Sequence, residues 1–466
     1  MRTIVFVLWL VACGRSEPPP PDRPARRDPA PGRVESPAPA PSASVATPAP
    51  ELPDDGDDDG NLPVEGAPST GGATAAVPTG VTSPSATSTA PSGTCVVVDP
   101  PLRVWAAPAP PALVTDAGAA LVAGYTVDGG HDVVFVAEWS PGRPPAPLRR
   151  IALAGNAPAD RRTAPPSLLA LGDRRIVLAH AEASGRLALR EIRRGDPVGA
   201  GERTVTVGQG ADLRFAPALA RIGDHIAVAW TDGRATPMRL RLAILDAALA
   251  PSGPERDVTP VSMGAAAPSF VVGAVPPLLL FIDPRRGISP IHRLALGADG
   301  PVGESRVIVS TGVAPDRPVV AGALAGDRPL VAWSVIGRAA TTAVGLARLD
   351  SAWTAYARPP EPLVPGTAYT PLSVSTVRLE QAHAVFATDQ PTAATPTPSG
   401  AAIREAAVQI GVRVVAADGA LRAPLTVAGP DGTARGAALA SFGGRRVALS
   451  FRDGGGTYVS RLDCAP

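Results

Sequence analysis

A repeat of about 50 residues constrains this chain more than any other feature. Short apolar runs end on or beside a ring-bearing side chain at Tyr125, His180, Trp230, Phe281, Trp333, Phe386 and Phe451, at intervals of 55, 50, 51, 52, 53 and 65 residues. Each ring follows the start of a unit (Pro111, Pro166, Pro217, Pro268, Pro318, Pro371 and Gly436) by 13 to 15 positions. Runs such as Ile226-Ala227-Val228-Ala229-Trp230 and Leu330-Val331-Ala332-Trp333 are too short for helices and are bounded by Gly, Asp and Arg turns, which predicts β-strands. A unit of three or four such strands cannot bury both faces alone, so it needs neighbours. The expected fold is all-β, a seven-bladed β-propeller over residues 95–466. Six or eight blades stay open, because the first unit and the 65-residue gap are the least regular.

The last unit predicts strands near 437–442, 445–451 and 457–462, and then the chain stops at Pro466. Its missing fourth strand can come from Thr94 to Val98, which closes the ring by pairing the two ends of the domain. Cys95 sits in that strand and Cys464 ends the last one, so a disulfide between them is expected. In the chain-entropy account, closing so long a loop adds about 4 to 5 kcal/mol.

Residues 1–94 are of another kind. The chain carries 56 Pro and 48 Gly but only 4% aromatic residues, and the 18 Pro before Thr94 stand at about twice the density of the rest. Segments such as Pro37-Ala38-Pro39-Ala40-Pro41 hold too little apolar surface to offset the entropy of ordering, so residues 13–94 are expected to be a disordered tether. Before them, Arg2 precedes the apolar run Ile4 to Ala12, too short to span a bilayer as a helix, and residues 1–12 are expected to be a signal peptide. Leu10-Val11-Ala12-Cys13-Gly14 resembles the bacterial lipoprotein lipobox. That resemblance implies palmitate and diacylglycerol on Cys13, a membrane anchor, and, because Gly14 is not Asp, the outer membrane, with the domain facing the periplasm or the exterior. Inside the tether, Asp55, Asp57 and Asp59 before Gly60 follow the first half of an EF-hand calcium loop, but Gly66 stands where the bidentate Glu belongs. An acidic spacer is the simpler reading, and no other cofactor is expected.

The formal net charge of +1 excludes a nucleic-acid partner held by a cationic surface, and every one of the 43 cations is Arg. After the ring, six units carry an acid: Asp128, Glu182, Asp232, Asp283, Asp389 and Asp453. On a propeller these lie at the turn between the second and third strands, a candidate binding face for a cation, sugar hydroxyls or a basic partner. Recurrence at equivalent places argues more for a turn requirement, since a binding site breaks repeat symmetry. The stretch Thr388 to Gly400 reads as a low-complexity insertion on that face.

The run Val228-Ala229-Trp230-Thr231-Asp232-Gly233-Arg234 is similar to the repeats of sialidase-like, Asp-box-type propellers, and Asp453-Gly454-Gly455-Gly456-Thr457-Tyr458 fits the second half of an Asp-box. The resemblance implies fold rather than activity. No sequence motif groups the acids, Arg and the four Tyr (Tyr125, Tyr356, Tyr369, Tyr458) into a catalytic set. The expectation is a monomeric, lipid-anchored envelope module that binds or scaffolds a protein or glycan partner rather than an enzyme. A sialidase-like glycoside hydrolase is the alternative. Changing Cys13 to Ser is expected to abolish palmitate labelling and to move the protein from the membrane pellet to the soluble fraction.

Overall fold

The structure, a computed structural model, describes residues 94–107, 109–157, 163–197, 202–260, 263–284, 289–309, 318–336, 342–354, 356–363, 373–380, 383–391 and 408–465. Cys13, the tether and Asp55, Asp57 and Asp59 lie outside these residues. The described strands form seven four-stranded antiparallel sheets. Six are built from consecutive strands, within 112–152, 167–208, 218–257, 266–309, 320–362 and 374–427. We number these blades one to six. The innermost strands touch one another in sequence from blade one to blade seven and back to blade one, so the sheets form a closed ring.

The seventh blade joins the two ends of the domain. Arg435–Gly443 is its inner strand, followed by Arg446–Asp453 and Gly456–Cys464, and the outermost strand is Cys95–Trp105. The closing strand thus ends seven residues beyond the Val98 expected from sequence. Its register pairs Cys95 with Cys464 at one end and Trp105 with Thr457 at the other. The two cysteines form a disulfide across 369 positions of sequence. Ser460 Oγ donates to Asp99 O at 2.7 Å, and Ala465 N donates to Thr94 O at 2.8 Å.

Each of the seven hydrophobic clusters lies between two adjacent blades. Strand alternation explains why. Both sheet faces meet a neighbour, so both sets of alternating side chains are apolar. Trp230, Phe281, Trp333, Phe386 and Phe451 are fully buried in or beside these clusters, and His180 is buried in the equivalent strand. Tyr125 is half-buried, and its hydroxyl accepts the N–H of Ala181 in the next blade at 3.0 Å. Between blades seven and one, Trp105 from the closing strand reaches Gly124. A Cβ there would come within 2.6 Å of the indole, so only glycine admits the contact.

Strand polarity defines two faces. In blade seven the inner strand starts, the second strand ends and the closing strand ends at the same side, where Arg435 pairs with Arg452, Asp453 with Gly456, and Trp105 with Thr457. Cys95, Cys464 and Gly443 lie at the opposite side. The chain therefore enters the ring on the face away from the inner-strand starts.

Reduction, or Cys464→Ser, removes the only covalent tie across the closure among the described residues. The urea midpoint is expected to fall, by no more than about 5 kcal/mol of stability. Hydrogen exchange should show the amides of Cys95–Trp105 losing protection before those of blades two to five.

Candidate binding funnel

The seven inner strands begin around the ring axis and enclose a funnel of about 520 Å³. Its size falls in the range of about 300–1,000 Å³ common for ligand sites. Each blade contributes the residues at its inner-strand start, and Pro111, Pro166, Pro217, Pro268 and Pro318 form much of the rim. Proline fits here because an inner strand has no sheet neighbour on its axial edge, so a missing N–H costs no ladder bond. Apart from Arg214, the described lining consists of apolar residues, glycine, serine and threonine; it contains no carboxylate, amide or imidazole.

Two blades depart from the pattern of small residues. Blade three brings Phe215 and blade four brings Phe270 to the lining. Phe215 ends a turn in which its N–H donates to Asp212 O at 3.1 Å. Arg214, in the same turn, is held by Asp212 through its Nη2 at 2.6 Å and Nε at 3.0 Å, and its guanidinium lies 5.6 Å from the centre of the Phe215 ring. Burial alone would raise the Asp212 carboxyl, but the side-chain and backbone hydrogen bonds from Arg214 outweigh it and hold the group below the usual carboxylate range. In blade four the inner strand bulges between Ala266 and Ser269, and Ala267 takes a left-handed conformation with φ of 54°. That conformation is costly for a residue with a Cβ, so the wall carries local strain.

Hydroxyls in the funnel wall, and Thr231 behind it, tie blades together. Ser167 Oγ donates to Pro217 O at 2.5 Å, Ser375 Oγ accepts the N–H of Leu439 at 2.9 Å, and Thr231 Oγ1 accepts that of Ala267 at 3.2 Å.

The six acids singled out in the sequence share this face, and the structure places five of them in buried positions. Asp232 accepts the N–H of Arg234 at 3.0 Å and its Nη2 at 2.7 Å, with Arg241 Nε at 3.4 Å. Asp453 accepts the N–H of Gly455 at 2.7 Å, and the Tyr458 hydroxyl bonds to the same carboxylate. Asp389 accepts the N–H of Gly436, the first funnel residue of blade seven, at 2.7 Å. Glu182 pairs with Arg186 across a tight turn, with Nε at 2.8 Å. Asp283 is fully enclosed, its Oδ1 3.0 Å from where a Cβ on Gly264 would stand. Asp128 is partly exposed and pairs with Arg150. None of the six lines the funnel.

The supposed insertion at Thr388 to Gly400 is corrected at its start. Thr388 through Pro391 continue the strand Ala384–Pro391, and Thr388 Oγ1 donates to Ser373 O at 3.0 Å. The rest of that stretch lies outside the described residues.

Of the tyrosines a sialidase-like site would need, Tyr458 is pushed above its ordinary value by burial and by Asp453, the opposite of what a nucleophile requires. Tyr125 is engaged with blade two, and Tyr356 lies on the outer strand of blade five. Tyr369 is outside the described residues.

No protein-family model matches the chain, and no curated protein matches it. Solved structures do align with it. A puromycin-hydrolysing peptidase of Mycobacterium tuberculosis shares 11% identity over 78% of this chain at a TM-score of 0.44; the alignment covers 53% of the peptidase, so the chain spans about half its length. An α-L-arabinanase of Penicillium chrysogenum, in complex with arabinobiose, shares 11% identity over 80% of this chain and 99% of its own, at 0.41. The Aleuria aurantia lectin with α-methyl-L-fucoside shares 10% over 72% and 98%, at 0.41.

Two outcomes are expected from these bonds. Asp389→Ala leaves the buried Gly436 N–H without its acceptor and should cost about 1–3 kcal/mol in urea unfolding. Burial would raise Asp232 as well, yet Arg234 and then Arg241 hold it below the usual range. A carboxyl depressed by folding stabilises above its unfolded value, near about 3.9, and that contribution fades as pH falls through the folded value. The unfolding midpoint should therefore drop more steeply on acidification below about pH 4 in the native protein than in Asp232→Asn.

Proposed function

We propose that this protein is a lipid-anchored module of the bacterial cell envelope that binds or scaffolds a protein or glycan partner through its funnel face. The observation that carries the reading is the funnel: an open, preformed site bounded by all seven blades, with two rings on one wall. The six turn acids support it only indirectly, because Asp389 braces Gly436 at the opening while Asp232, Asp453 and Glu182 hold turns on the same face. Hydrolysis of a glycoside needs two positioned carboxylates, or a tyrosine with an acid and an arginine cluster, and the described funnel lining presents neither. The lipobox-like Cys13 supplies the anchor in this reading.

A photo-crosslinking residue tests the contact face in intact cells. Placed at Arg214, which is exposed at the funnel, it is expected to give discrete adducts. Placed at Val275, 94% exposed in the hairpin on the opposite face, it is expected to give none. Equal adducts at both positions, or none at Arg214, would sink the funnel as contact surface. Turnover of chromogenic glycosides by the purified protein would favour the hydrolase instead.

A further inference from the structure

The chemistry of the funnel wall separates the two kinds of partner. Its one charged side chain among the described residues, Arg214, already faces Asp212 at 2.6 Å, so the wall is close to neutral where a guest would sit. A charged guest would lose its hydration there without gaining a counter-charge. It also carries few hydroxyls, five among the described residues, and two of them are committed. Ser167 gives its proton to Pro217 O, and Ser375 takes the N–H of Leu439. A saccharide brings a hydroxyl at nearly every carbon, and each one buried without a partner costs free energy. Apolar side chains ask for no such partner. They gain from the removal of Phe215, Phe270, Leu113, Leu168 and the proline rings from water. The rim is also stiff, because proline fixes its own backbone and the blades are tied by hydrogen bonds beneath it. A guest thus meets a surface that needs little ordering.

Asymmetry locates the guest. Five blades offer small or aliphatic residues at the funnel, while blades three and four, which are adjacent, offer the rings. The strained Ala267 lies in the same wall, one residue before Pro268. A ring repeated sevenfold for stability has no need of either feature.

We infer that the funnel receives uncharged, apolar side chains of a protein partner, seated against Phe215 and Phe270 on the wall formed by blades three and four. This rests on the reading of the funnel as the contact surface and names the partner chemistry within it.

The full-length protein can be panned against a phage-displayed random heptapeptide library, with a glycan array of neutral and acidic sugars run in parallel. The selected peptides are expected to share an uncharged consensus with two or more aromatic or branched aliphatic residues. A synthetic consensus peptide should bind about tenfold more weakly to Phe215→Ala, roughly 1.4 kcal/mol, and at least as weakly to Ser269→Asp, which puts a carboxylate into the neutral wall. Both positions are only half-buried, and a melting temperature near that of the native protein shows that each variant folds. Phe270→Leu, which keeps the bulk but not the ring, gives a second measure at the side chain that packs more deeply. A consensus rich in charge, or a peptide bound equally by all three variants, overturns the inference. Sugars bound in a manner sensitive to Phe215→Ala, with no peptide selected, overturn the inference while leaving the funnel as the contact surface. If neither class binds in a way these variants alter, both readings fall together.

Discussion

Everything in this domain depends on apolar contact between neighbouring blades. A four-stranded sheet whose alternating residues are apolar on both faces is insoluble alone and half-satisfied at the end of a row, so a row of such sheets must close. The closing contact is made by Trp139, Ala120 and Val122 of blade one against Ala448 and Val459 of blade seven, with Leu102, Val104 and Trp105 of the closing strand alongside. That contact joins residues more than 300 positions apart, which makes its loop entropy the largest in the fold. The disulfide and the long closing strand act where that entropy is highest. The strand supplies both the fourth ladder of blade seven and the indole that rests on Gly124.

The same repetition sorts structure from function. Devices that serve the scaffold recur from blade to blade: a ring or imidazole in the second strand, an acid or hydroxyl that reaches a backbone N–H, and, in five blades, a proline at the axial edge. Asp232 and Asp453 each bond the N–H two residues ahead, as do Asp212, Asp246, Asp418 and Asp431 elsewhere in the ring. This is turn chemistry, in which a short carboxylate substitutes for a backbone acceptor. Recurrence therefore marks the scaffold, and departure from recurrence marks the wall at Phe215 and Phe270.

The blade count, the strand that closes the ring and the Cys95–Cys464 pair were legible because each follows from a period or from a deficit that the period exposes. Trp230 and Trp333 announce their strands by hydrophobic run and spacing alone. The funnel was not legible to the same degree. Phe215 and Phe270 stand on either side of the prolines that open their units, at positions that a strand pattern treats as ordinary apolar residues. Only the axial placement of the seven inner strands turns those positions into a shared wall, and that placement is a property of the ring rather than of any window of sequence. Thr388 to Pro391 were misread for a related reason: their Thr and Pro content resembles a loop, while the pairing of Thr388 with Val374 and Gly411 holds them in the sheet.

Strand polarity gives the two faces different physical characters. On one, seven inner strands begin and leave a cavity, because strands that converge on an axis cannot pack to a point without clashing at their backbones. On the other, the ends of the domain meet, joined by Cys95 and Cys464, with Ala465 N bonded to Thr94 O. A strand added to the outside of blade seven must run antiparallel to Gly456–Cys464, and that strand must begin where its partner ends. The chain is thereby obliged to arrive on the face opposite the inner-strand starts, and the face that carries the funnel is left to whatever the funnel holds.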